Sequence, residues 1–103
     1  MEADTRLQRS LQELATLLDS VGESFWASWA ANAAARVEAG GDPADVRRVY
    51  GGMTSVNDLV IHPMNGHPIP PGRVDEVNEA LDELRTRIYA ESVSSSLARR
   101  TSS

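Results

Sequence analysis

The stretch Leu7-Gln-Arg-Ser-Leu11-Gln-Glu-Leu14-Ala-Thr-Leu-Leu18-Asp-Ser-Val21-Gly22 decides the fold class. Leu7, Leu11, Leu14, Leu18 and Val21 recur at helical spacing, with Arg6, Arg9, Gln12 and Glu13 between them, which predicts an amphipathic helix from Ala3 to Val21. Gly22 is its natural terminator. Beyond it, Ser24 is placed to cap a second helix running to about Ala39, with Trp26, Trp29, Ala30, Ala33 and Val37 as its buried stripe and Phe25 at the edge. Gly40-Gly41 ends that helix. Asp42-Pro43-Ala44-Asp45 then starts a short third one, with a cap at Asp42, proline at the first helical position and a carboxylate three residues past the cap. Val46, Val49 and Tyr50 are its apolar residues.

From Tyr50 to His67 helical periodicity is lost for longer than a connector between helices requires. Two readings compete there. Ser55-Val-Asn-Asp58 has the form of a capping box, consistent with one helical turn through Leu59 and Val60. Asn65-Gly66 is a strong two-residue hairpin signal. In that register Met64 pairs with His67 and His62 with Ile69, while Pro63, Pro68 and Pro70 fall where the ribbon does not need their missing N–H groups. Pro70-Pro71-Gly72 leads into a last long helix with Val74, Val77, Leu81, Leu84 and Ile88 on one stripe. Asp75, Glu76, Glu79, Asp82 and Glu83 crowd its first half, where the helix dipole favours carboxylates. Arg85 and Arg87 stand at spacings that suit pairing with Asp82 and Glu83. From Ser92 the chain turns serine-rich, which predicts a frayed or disordered tail over 92–103 behind a single helical domain over 1–91. The expected architecture is mainly α: a small bundle of three to four helices carrying a central irregular loop or short β-hairpin.

Length and composition narrow the function classes. The 103 residues suffice for one domain with one modest core. The chain contains no cysteine, so disulfides, thiolate metal sites and thiol catalysis do not arise. The net charge is −5, and all ten basic residues are arginine. An acidic chain without a basic stripe argues against nucleic acid or an anionic membrane as the main partner, since both begin with phosphate neutralisation. No apolar run is long enough to span a bilayer and the amino terminus lacks a secretory hydrophobic segment, so a cytoplasmic location is expected.

Several groupings contain residue types suited to chemistry. His62 and His67 share one face of the hairpin reading at roughly 7–8 Å, with Asp58 as a third metal ligand. Two imidazoles without HExxH-type spacing are better read as partner-contacting side chains, whose titration near neutrality would make binding pH-sensitive. Ser55, Asp58 and His62 supply the types for nucleophilic chemistry, but there is no GxSxG elbow and no phosphate-cradling glycine loop. No catalytic residue, resident metal or cofactor is therefore assigned. Trp26 and Trp29 read more readily as core than as an exposed binding edge, and the acidic face of the last helix more readily as a solvated surface than as a phosphate mimic.

Trp26 and Trp29, then Gly51-Gly52-Met53-x-Ser55-x-Asn57-Asp58-Leu59-Val60, then a turn and a final helix with Asn78, Leu81, Leu84, Arg85, Ile88 and Tyr89, together resemble a family of small uncharacterised bacterial domains. The likeness covers Glu23 to Tyr89. It implies a compact helical domain with a shared central loop, and brings no activity and no catalytic residues with it. The expectation is a protein-binding module, an immunity-type or antitoxin-like inhibitor of a toxin or effector with a basic surface. Its contact residues would be Met53, Asn57, Asp58, His62, Met64, Asn65 and His67 of the loop with Asp75, Glu79 and Asp82 of the last helix. Methionines would supply adaptable apolar contact, and the polar residues hydrogen bonds and charge. The alternatives are a small metal-dependent hydrolase using Asp58, His62 and His67, and a homodimeric helical scaffold.

Overall fold

A computed structural model of the chain describes residues 2–48 and 69–101, and all its described elements are helical. In order they are α1 (Glu2–Ser20), α2 (Ser24–Glu38), α3 (Ala44–Arg48), a 3₁₀ turn (Pro71–Arg73) and α4 (Val74–Thr101). The mainly helical class is as expected. The loop-or-hairpin alternatives over Tyr50–His67 lie outside the described residues.

The core follows the leucine stripe. Leu7, Leu11, Leu14 and Leu18 are each 0% exposed, and they meet Val77, Leu81, Leu84 and Ile88 of α4 and the alanine face of α2 in one apolar cluster. Burying each such leucine is worth roughly 1.5–3 kcal/mol. Helix α1 is the central element, packed against both α2 and α4, and α3 rests on α4. Helices α1 and α4 run antiparallel: Ser95 bonds Asp4, Ser10 bonds Glu91 at 2.5 Å, and Arg87 pairs with Glu13.

Glycines set both early turns through the same geometry. Gly22 has φ 78°, its N–H donates to the Asp19 carbonyl, and the Glu23 N–H donates to the Leu18 carbonyl. Gly40 has φ 94°, its N–H donates to the Val37 carbonyl, and the Gly41 N–H donates to the Arg36 carbonyl at 2.7 Å. Each pair is a Schellman closure, which satisfies helix-end carbonyls at the cost of one left-handed residue. Nothing lies within 4 Å of a Cβ added to Gly40, whereas at Gly41 a Cβ would sit 2.8 Å from the Arg36 carbonyl oxygen. Gly40→Ala is therefore expected to cost about 1–2 kcal/mol from backbone conformation alone. Gly41→Ala should cost more, because α2's last turn must shift; urea denaturation of the two variants gives the comparison.

Three local expectations need correction. Ser24 does not cap α2: it is the first helical residue, Glu23 occupies the cap, and no side chain bonds there. The Schellman closure already uses the Glu23 N–H, and its carbonyl accepts from Ala27 at 3.0 Å. The buried face of α2 is Ala27, Ala30, Ala33, Ala34 and Val37, with Trp26 and Trp29 only partly buried against it. Small side chains let α2 lie close to α1, and two indoles would hold the helices apart. Finally, α4 continues without a break through Thr101 where the serine-rich composition suggested fraying from Ser92. Ser92 and Ser95 are both 0% exposed and extend the stripe of Ile88 by four and seven residues.

Polar partners from the rest of the bundle hold that last segment. Ser95 donates to an Asp4 carboxylate oxygen, and the Arg47 guanidinium donates to the hydroxyls of Ser92 at 3.3 Å and Ser96 at 3.0 Å. Ser92 in turn donates to the Tyr89 carbonyl at 2.7 Å. The cap predicted for α3 is present, with the Ala44 N–H donating to Asp42 Oδ1 at 2.9 Å, and Val46 is buried as expected.

Candidate partner-binding surface

The amino-terminal half of α4 separates its residues cleanly by face. Val77, Leu81 and Leu84 turn into the core, and Asp75, Glu76, Glu79, Asp82 and Glu83 are exposed. Asp75 and Glu76 sit in the first turn, where they oppose the helix dipole. Asp75, Glu79 and Asp82, the three α4 residues expected to meet a partner, follow one another by four and three positions and so form one outward stripe. The leucine and valine stripe behind them fixes the helix, so these carboxylates are presented on a rigid element.

Two arginines temper the charge. Arg73 Nε lies 3.7 Å from Glu76 and Arg85 pairs with Asp82, both by i,i+3 geometry on exposed carboxylates. The Arg73–Glu76 pair, exposed on both sides, is worth no more than about 1 kcal/mol, whereas the Arg85 side chain is only 12% exposed. Asp75, Glu79 and Glu83 have no ion pair among the described residues. Arg87, expected beside Glu83, instead reaches across to Glu13 on α1. The antiparallel packing brings that carboxylate within reach, which spacing along one helix has no means of registering.

The structure thus brings together three of the expected contact residues. Met53, Asn57, Asp58, His62, Met64, Asn65 and His67 lie outside the described residues, as does the Asp58, His62 and His67 set of the hydrolase alternative. Among the described residues no group of three or more His, Cys, Asp or Glu side chains is arranged to hold a metal ion.

A second surface is the aromatic edge that the sequence ranked below core packing. Phe25, 71% exposed, stands edge-on to Trp26 with ring centroids 5.0 Å apart, and Trp26 stands edge-on to Trp29 at 5.7 Å. The aromatic edge ends at a small, partly open cleft of about 30 Å³ between the end of α2 and α3, lined among others by Trp29, Val37 and Val46. The signal for it was present: Ala27, Ala30, Ala34 and Val37 are spaced by three and four residues, a stripe that leaves the tryptophans on its flank.

Residues 19–70 match a domain family described as a domain of unknown function, DUF6966, and the chain belongs to that family. The matched region runs from the last turn of α1 through α2 and α3 to the residues just before α4. No curated protein and no solved structure matches the chain. Among the described residues no helix is long and apolar enough to cross a membrane.

Proposed function

We propose that this member of the DUF6966 family is a protein-binding module, an immunity-type or antitoxin-like inhibitor that covers a basic surface on a toxin or effector. The observation that carries the reading is the solvent-facing carboxylate stripe of Asp75, Glu79 and Asp82 on a helix fixed from behind by Val77, Leu81 and Leu84. A stripe of one charge sign on a rigid helix steers an oppositely charged partner and fixes its register. The net charge of −5 acts in the same direction. A cytoplasmic, bacterial setting belongs to this proposal, as does the Gly51–Val60 stretch as the element shared across the family. In it the loop residues Asn57, Asp58 and His67 add a second set of contacts, with Met53 and Met64 as apolar ones.

Affinity capture from source-cell lysate with mass-spectrometric identification names the partner, and titration of that partner tests the surface. Asp75→Asn, Glu79→Gln and Asp82→Asn together are expected to weaken binding by about tenfold or more, chiefly through slower association, and to flatten its salt dependence. Unchanged affinity and salt dependence in the folded triple variant would remove α4 from the interface. An Asn57, Asp58 and His67 triple alanine variant tests the loop contacts separately.

A further inference from the structure

We propose that the cleft between the end of α2 and α3 receives one cationic side chain, a guanidinium or an ammonium, presented by the protein partner. The inference rests on the reading of this domain as a binder of a basic protein and locates one contact of that interface. Trp29, Ala33, Val37 and Val46 give the cleft an apolar wall, and Asp42 and Asp45 are the acidic residues of its lining. An indole beside carboxylates offers a cation both attraction to the ring face and charge-assisted hydrogen bonds. The apolar wall suits the methylene stem that such a side chain brings with it.

The surroundings hold these groups in place. Asp42 Oδ1 accepts from the Ala44 N–H at 2.9 Å, which fixes that carboxylate at the start of α3. Trp29 is braced edge-on by Trp26 at an interplanar angle of 78°. Gly41 forms part of the lining and lies so close to α2 that a side chain there would strike the Arg36 carbonyl. Arg36 also lines the cleft and offsets part of its acidic charge, so the indole is needed as well as the carboxylates. The exposed ring of Phe25 continues the apolar edge outward, towards residues that flank the inserted cation.

The test uses the full chain and a small probe. Nα-acetyl-arginine amide is titrated while the Trp29 indole N–H resonance is followed by NMR, assigned with Trp29→Phe, and the neutral isostere Nα-acetyl-citrulline amide serves as control. The expected result is a saturable shift with the arginine probe alone, at a dissociation constant on the order of millimolar for so small a ligand. It should weaken by about tenfold in Asp42→Asn with Asp45→Asn, where asparagine preserves the helix cap. Equal shifts with citrulline, or no shift of Trp29 with arginine, would overturn the proposal. Because no partner is present in this titration, its failure leaves the α4 surface standing. Conversely, saturable arginine binding with no partner captured from lysate would count against the inhibitor reading and not against the cleft.

Discussion

Leu14→Ala is expected to lower the unfolding free energy by about 2–5 kcal/mol, measured by urea denaturation and checked by a fall in Tm of about 10 °C or more. Leu14 is 0% exposed and sits in the middle of the leucine stripe of α1, the helix that packs against both α2 and α4. Truncation removes its transfer free energy and leaves a cavity between elements that rigid helices fill only partly. A domain of this size is stable by roughly 5–15 kcal/mol, so this one substitution consumes a large fraction of the total. Leu97→Ala is the matched control: Leu97 is 54% exposed on α4, and its loss should change stability by no more than about 0.5 kcal/mol. Equal effects at the two leucines would mean that α1 is not the centre of the core.

Ending the chain after Glu91 is expected to destabilise the domain by about 2–4 kcal/mol, where a frayed tail predicts no change. The deletion removes Ser92 and Ser95 from their buried sites, takes the Ser92 and Ser96 hydroxyls from the Arg47 guanidinium and leaves the Asp4 carboxylate without Ser95. Hydrogen bonds to charged groups contribute about 1.5–3 kcal/mol each where partly shielded from water. Ser95→Leu separates fit from length. It retains the whole helix but forces extra methylenes into a site sized for serine, at an expected cost of about 1–3 kcal/mol. If the truncated chain and the full chain showed the same denaturation midpoint, the carboxyl-terminal third of α4 would contribute nothing to the fold.

Much of the scaffold was legible in the residues because its determinants are local. The four-leucine stripe of α1 and the Val77–Ile88 stripe of α4 are periodic over several turns, and each landed in the core. Gly22 and Gly40 stop their helices because a left-handed residue is needed there, and Asp42 starts α3 by an acceptor two residues from its donor. On α2 two apolar stripes overlap, one holding the tryptophans and one the alanines. Size attracts an aromatic to the interior, but helix separation decides whether it fits, and the alanines allowed a close approach that left the tryptophans at the margin. For the candidate surface, the outward placement of Asp75, Glu79 and Asp82 followed from the apolar stripe opposite them. The cleft beside Trp29 did not, since it requires α2 and α3 to meet at the Gly40-Gly41 turn.

The sequence by itself therefore determined the helical class, the helix ends at glycine and the capping of α3, the core stripes of α1 and α4, and the acidic face. All of these depend on groups within about one helical turn of each other. Only the tertiary structure decided the burial of Ser92 and Ser95, the cross-helix pair of Arg87 with Glu13, and the marginal position of Trp26 and Trp29. A serine enters the interior when another helix supplies its hydrogen-bond partner, and Asp4 and Arg47 are 91 and 45 residues away from the serines they hold.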